Sequence, residues 1–271
     1  MWVFTFKINK KSPIEADSEK DGVKVSIKLG AENLVIENVD VNNQEDALKK
    51  ADEVANNFLN TLSWKFGVDI GIKTDSIRSE FIYESGKTTV YIQLLEGVSI
   101  DDGSLTIKKI DADGNVTETY DSRRPGKINV NSSEAAFYHR RGRLSSDPFD
   151  RFRNFYLVVE NIGDRIRISK AICHLDERPL LELALKECFG SDIRPLDSVA
   201  RKVRGFDLNV DVISDVAKFL YKGHRCQINH SKALEDKKIP FNAEAEKEVK
   251  EALPLIEFVA KSLLEYEERN L

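Results

Sequence analysis

The chain has 271 residues, enough for two ordinary domains, and its hydrophobic fraction of 41% excludes wholesale disorder. Charged residues make up 32%, yet the net charge is −5, so a surface coated in basic side chains is excluded while a local basic cleft is not. No run approaches the ~18–20 apolar residues of a membrane span. The three cysteines follow no disulfide spacing, and we expect a soluble, cytoplasmic protein that contacts no membrane.

Strand patterns dominate residues 1–130. Apolar and polar residues alternate, as on a half-buried sheet, at 2–8, 23–29, 33–38, 68–74, 79–84, 88–95, 104–110 and 115–120. Asp113-Gly114 is a hairpin signal before the last of these. Apolar residues recur at helical spacing over about 43–66, with Asn42 or Asn43 as the N-cap and Gly67 at the C-terminus. Residues 1–130 therefore predict an α+β domain in which one long helix covers one face of a mainly antiparallel sheet. No motif in them indicates a ligand.

The chain changes character near residue 130. Thirteen of the sixteen arginines follow that point, and 121–133 is rich in turn formers. Helical spacing then dominates. We predict helices at 133–144, from Asp147 as N-cap with Pro148 in the first turn, from Pro179, from Asn209 as N-cap, and after Asn242. Residues 131–271 are thus expected to form a second, all-helical domain.

One candidate for chemistry lies where the fourth of these helices ends. Arg225-Cys-Gln-Ile-Asn-His230 has Arg-x4-His spacing ahead of the long final helix. Upstream, Asp147–Glu160 is an aromatic helix that ends in an apolar-Glu step, and 55–67 lies in the long helix of the first domain. Together these residues resemble the HEPN superfamily, in particular its ApeA-like and MauJ-like branch, over roughly 133–270. The expected fold of the second domain is therefore a HEPN-like helical bundle.

The resemblance implies metal-independent RNA cleavage by a homodimer that uses no cofactor, in defence or stress response. His230 would move the proton of a ribose 2′-hydroxyl or of the leaving oxygen, because an imidazole titrates near neutral pH. Arg225 would hold the scissile phosphate, and Glu160 would orient Arg225. On an ideal helix, residues five apart lie about 140° apart around the axis. Arg225 and His230 of one chain would then diverge, which favours a site assembled across a two-fold interface.

The sequence departs from the family at one position. HEPN chains usually place Asn, Asp or His directly after the arginine, whereas this chain has Cys226, a weak hydrogen-bond former. His224, on the other side of Arg225, is a candidate substitute contact to RNA. The basic residues Arg140, Arg141 and Arg143 are further candidates for an RNA-binding face.

Each of these assignments has a structural alternative. Arg225 and His230 would also suit the C-terminus of a helix, whose dipole favours cations. Glu160 would serve as an ordinary ion-pair partner, and the arginines at 140–143 as a charged surface. No Cys-x2-Cys or His-x3-His spacing supports a metal site. The alternative function is a non-catalytic HEPN-like module that dimerises or binds a partner protein.

Overall fold

The computed structural model describes residues 1–81, 106–110, 116–121, 133–209, 211–229 and 243–271. The chain divides into two compact units, Met1–Ser132 and Ser133–Leu271, each with its own buried hydrophobic residues. An antiparallel sheet with one long helix forms the first unit, and helices form the second, which confirms the predicted fold class. Within the described ranges, no helix is long and apolar enough to cross a membrane.

Five strands of the described residues form one antiparallel sheet in the order β2-β3-β4-β1-β5. They are β1 (Trp2–Ile8), β2 (Ala16–Lys20), β3 (Val23–Ile27), β4 (Asn33–Val39) and β5 (Ile72–Phe81). Alternation along β1 buries Phe4, Phe6 and Ile8, each of which is at most 2% exposed. Two further strands, β6 (Thr106–Ile110) and β7 (Val116–Asp121), pair with each other.

One long helix, α1 (Gln44–Phe66), packs on β1, β3 and β4. It begins where the Asn43 side chain accepts a hydrogen bond from the Asp46 amide at 2.8 Å. It ends at Gly67, whose φ of 67° is left-handed and favours glycine. The predicted helix and its caps are confirmed, with Asn43 rather than Asn42 at the start.

The strand predictions were less accurate. One strand, β5, takes in the end of the pattern at 68–74 and the start of the pattern at 79–84, because it pairs with β1 from Ile72 opposite Ile8 to Phe81 opposite Trp2. Residues 82–84 lie outside the described residues. The predicted strand at 88–95 and the turn Asp113-Gly114 lie outside the described residues.

The second unit is built around its second helix. Its elements are α2 (Glu134–Leu144), α3 (Pro148–Ser169), α4 (Glu177–Phe189), α5 (Arg194–Ala200), α6 (Val212–Leu220), a π-helical segment (Tyr221–Arg225), α7 (Cys226–Asn229) and α8 (Ala243–Asn270). Helix α3 packs against α2, α4 and α8. The Asp147 side chain caps it by accepting from the Asp150 amide at 2.8 Å, and Pro148 occupies its first turn, as predicted. Phe152 and Tyr156 are at most 1% exposed, which makes α3 the core helix.

Two predicted helix starts were wrong. Helix α4 begins at Glu177, two residues before Pro179, because a proline is tolerated anywhere in the first turn, where the amides have no partner within the helix. Helix α6 is capped by Asp211 rather than Asn209. The Asn209 amide instead donates to the Asp215 carboxylate at 2.6 Å, which fixes the chain before the helix begins.

Candidate active site

Arg225 is presented by a helix that changes its hydrogen-bonding pattern. Asp211 caps α6 by accepting from the Ser214 amide at 2.9 Å, and Val216 and Leu220 are fully buried on its inner face. From Tyr221 to Arg225 the helix adopts π spacing before α7 continues it. A π segment widens one turn and frequently lies at a functional site. The π spacing ends at Arg225 and Cys226–Asn229 are α-helical, whereas His230 lies outside the described residues, so the predicted divergence of Arg225 and His230 stays a prediction.

The structure places Arg225 against two other helices. Its Nη2 atom lies 3.3 Å from Oε1 of Glu160 on α3 and 3.5 Å from Oε1 of Glu177 at the start of α4. Its guanidinium carbon lies 5.4 Å from the centre of the Tyr156 ring, within the range of a cation–π contact. The Arg225 side chain is 18% exposed, so the charge lies at the rim of the bundle. Glu160 and Arg225, which the sequence predicted to act together, are thus in contact.

Only part of the hydrogen-bonding capacity of Arg225 is used. A guanidinium carries five N–H donors in a planar fork, and both carboxylates approach the same nitrogen, Nη2. Within the part of the chain that the structure describes, the Nε and Nη1 donors have no hydrogen-bond partner. The remaining donors are therefore available to a planar or tetrahedral anion.

The Glu160 carboxylate lies in an environment that disfavours its charged form. Burial raises the pKa of Glu160 above its usual value, the positive charge of Arg225 opposes that rise, and the negative charge of Glu177 adds to it. Burial also raises the pKa of Tyr156, with Glu160 and Glu177 contributing in the same direction. Two carboxylates share one guanidinium, so the group carries a net negative charge when both are ionised.

The Tyr156 hydroxyl has an unusual environment. Tyr156 is 1% exposed, and among the described residues its hydroxyl has no hydrogen-bond partner. A buried hydroxyl without a partner is costly and rare in native structures. Its ring stacks on Phe152 with centroids 6.2 Å apart, so the ring has a packing role that does not depend on the hydroxyl.

Residues 135–265, which include Arg225 and its contacts on α3 and α4, match the model of the family described as Methylamine utilization protein MauJ. The helical unit is MauJ-like. MauJ is related to the HEPN superfamily, which confirms the MauJ-like resemblance predicted for the C-terminal region. No curated protein and no solved structure matches the chain.

Of the two predicted site histidines, His224 lies in the described part of the MauJ-like unit and His230 does not. His230 lies outside the described residues. His224 is 4% exposed, with its ring 4.6 Å from that of Phe219 and 5.5 Å from that of Phe152. Its Nδ1 atom lies 3.2 Å from the Phe219 carbonyl oxygen. The imidazole is therefore packed inside the bundle, and its predicted contact with RNA stays a prediction.

The arginines of the predicted basic face differ in exposure and in their partners. Arg140 is 7% exposed, whereas Arg141 is exposed. Arg143 forms an ion pair with Glu257 on α8, and Arg151 approaches the same carboxylate at 3.4 Å. Arg143 is thus engaged by a carboxylate of its own chain, and the predicted RNA-binding role of these arginines stays a prediction.

Cys226, where HEPN chains usually carry a polar residue, interacts with a neighbour in the π segment. The interaction with the Cys226 thiol is the first cause of the raised pKa of Tyr221, ahead of burial. Within the described ranges, no group of three or more His, Cys, Asp and Glu side chains is arranged to hold a metal ion. The described part of the site comprises the guanidinium of Arg225, two carboxylates, two phenols and the Cys226 thiol.

Sequence reasoning missed Tyr156, Tyr221 and Glu177. Tyr156 lies in the predicted aromatic helix Asp147–Glu160, and its spacing of four from Glu160, which places both residues on one face of α3, was a usable signal. Glu177 gave no signal, because it lies 48 residues from Arg225 and before the predicted start of its helix.

Proposed function

We propose that the MauJ-like unit is a metal-independent RNA endonuclease, in which Arg225 binds the scissile phosphate and His230 transfers the proton. The observation that supports this proposal is the set of contacts that Arg225 makes and leaves open. Glu160 and the Tyr156 ring anchor it, while the Nε and Nη1 donors have no partner among the described residues. An anchored arginine with open donors suits bidentate recognition of a phosphate.

The proposed reaction needs one base, one acid and one cation. A base removes the proton from a ribose 2′-hydroxyl, and the resulting oxygen attacks the adjacent phosphorus. The bond from phosphorus to the 5′-oxygen breaks, and that oxygen takes a proton. The products are a 2′,3′-cyclic phosphate and a 5′-hydroxyl, with no net change in protons. Arg225 stabilises the charge that develops on the phosphoryl oxygens, and His230 is the proton carrier.

A homodimer is part of the proposal, as is a setting in defence or stress response. The name of the matched family refers to methylamine utilization, so the proposed chemistry rests on the HEPN resemblance and on the residue types at Arg225 and His230. If the site combines Arg225 of one protomer with His230 of the other, mixing Arg225→Ala and His230→Ala protomers restores one of the two sites in each mixed dimer. Activity should then return to about a quarter of wild type, since half of the dimers are mixed. If light scattering shows that the protein is a monomer at a concentration of roughly tens of micromolar, the composite site is contradicted.

A second candidate function also has an observation in its favour. Arg225 already contacts two carboxylates and an aromatic ring of its own chain, and Cys226 gives no strong polar contact beside it. These contacts suit a structural arginine in a non-catalytic interaction module. The two functions differ in whether the wild-type protein cleaves RNA.

The deciding experiment compares wild type and Arg225→Lys on a mixed-sequence RNA, with and without EDTA. We expect wild type to cleave equally in both conditions and Arg225→Lys to lose about 100-fold or more, since an ammonium does not reproduce the guanidinium fork. Arg201→Lys is the matched control, because Arg201 is an exposed arginine whose ion pair among the described residues is with Asp197, four residues away. Equal cleavage by wild type and Arg225→Lys would contradict the proposal.

A further inference from the structure

The charges around Arg225 are unbalanced in a way that opposes the binding of an anion. One guanidinium faces two carboxylates, and a phosphodiester would bring a third negative charge to the same nitrogen fork. Like charges this close cost free energy, particularly where the groups are partly buried. An anion therefore binds Arg225 well only if one carboxylate withdraws.

The two carboxylates do not hold Arg225 equally. Glu160 is 26% exposed, lies on the core helix α3 and approaches Nη2 at 3.3 Å. Glu177 is 44% exposed, lies in the first turn of α4 and approaches the same nitrogen at 3.5 Å. An exposed ion pair at this distance is weak, whereas a partly buried one is screened less by water. Glu177 is thus the partner that an anion displaces more readily.

The position of Arg225 does not depend on Glu177. Glu160 holds the edge of the guanidinium, and the Tyr156 ring lies 5.4 Å from its central carbon. Both residues belong to α3, which is fixed by contacts with α2, α4 and α8. When the Glu177 carboxylate withdraws, Arg225 therefore stays in place and gains an open Nη2 donor beside Nε and Nη1.

We propose that Glu177 occupies the place of a phosphodiester oxygen on Arg225 and that RNA displaces it, so that Glu177 sets the affinity of the site for its anionic ligand. This inference rests on the proposed function for the class of ligand, but it concerns binding rather than cleavage. If Glu177 instead only held Arg225 in place, replacing Glu177 would loosen Arg225 and weaken the binding of an anion.

The test measures binding without cleavage. The probe is a fluorescently labelled 2′-O-methyl RNA of mixed sequence, which lacks the nucleophile, and the readout is anisotropy at fixed salt. We expect Glu177→Gln to bind about five-fold more tightly than wild type, the size of effect expected when one unfavourable charge is removed from a partly exposed site. Glu182→Gln is the matched control, because Glu182 lies on the same helix and pairs with Arg178 rather than Arg225. It should change affinity by less than about two-fold, as expected of a surface pair.

A double mutant separates the direct effect from a general change of charge. In an Arg225→Gln background the additional change Glu177→Gln should alter binding little, because the two residues act through one contact. The proposal is overturned if Glu177→Gln binds equally or more weakly, if the gain persists without Arg225, or if neither wild type nor Glu177→Gln binds the probe. Tighter binding by Glu177→Gln in a protein that never cleaves RNA would refute the nuclease proposal alone.

Discussion

Replacing Tyr156 by Phe removes a single oxygen from the centre of the site. The hydroxyl is buried without a partner among the described residues, and such a group costs about 1–3 kcal/mol. The ring contacts with Phe152 and Arg225 do not use the hydroxyl, and Phe provides the same face to a cation. We therefore expect Tyr156→Phe to raise the free energy of unfolding by about 1 kcal/mol at pH 7, at the low end of that range because neighbours relax.

The pH dependence gives an independent check of the same residue. Burial and the neighbouring carboxylates raise the pKa of Tyr156 in the folded state above its value in the unfolded chain. A raised pKa means that the stability associated with the protonated hydroxyl is complete below about pH 10 and is lost as the pH rises beyond it. The advantage of Tyr156→Phe over wild type should therefore grow above about pH 10.

Urea denaturation followed by circular dichroism measures both effects. Tyr138→Phe is the control, because the Tyr138 hydroxyl lies at the surface and donates to Glu134 at 2.9 Å. Its loss should change stability by no more than about 0.5 kcal/mol in either direction. A Tyr156→Phe variant less stable than wild type by about 1 kcal/mol or more would refute this reasoning, since the hydroxyl would then make a hydrogen bond in the folded protein.

Three further changes test the helical unit. Because the pKa of Glu160 is raised in the folded state, the free energy of unfolding of wild type relative to Glu160→Gln should be greatest near pH 4 and fall as the pH rises to about 7. A difference that grows with pH would contradict this. Glu267→Ala should lower the free energy of unfolding by about 1–3 kcal/mol, because the buried carboxylate accepts a hydrogen bond from Ser133 at 2.8 Å and pairs with Arg165. The control Glu265→Ala, at an exposed position, should have little effect in the same urea titration. Burial raises the pKa of Cys188 to about 12, so a thiol reagent at pH 8 should label exposed Cys173 quickly and Cys188 only after unfolding. Rapid labelling of the folded Cys173→Ser, Cys226→Ser double variant, in which Cys188 is the remaining thiol, would contradict this.

Local signals made much of the fold predictable. The starts of α1 and α3 depend on Asn43, Asp147 and Pro148. The side chains of Asn43 and Asp147 each accept a hydrogen bond from the amide three residues further on, so the signal is local in the sequence. The start of α6 was missed by two residues because Asn209 and Asp211 are both good caps. The choice between them depends on Asp215, which binds the Asn209 amide in the folded chain.

The π segment was not predictable from periodicity. Residues 212–229 follow an apolar pattern that suits a continuous α-helix, and the widened turn coincides with the burial of His224 against Phe152 and Phe219. Phe152 is 72 residues away, so no local window contains that contact. The pairing of Glu160 with Arg225 was predicted from the family resemblance, whereas Glu177 entered the site only through the packing of α4.

The most direct test of the account identifies the ends of cleaved RNA. Wild type should produce 2′,3′-cyclic phosphate and 5′-hydroxyl ends in the presence of EDTA, and DNA of the same sequence should remain intact. His230→Ala should lose this activity while its free energy of unfolding stays within about 0.5 kcal/mol of wild type, as expected if the imidazole serves the chemistry rather than the packing. An intact RNA after prolonged incubation with wild type, or 3′-hydroxyl ends that persist in His230→Ala, would contradict the proposed nuclease.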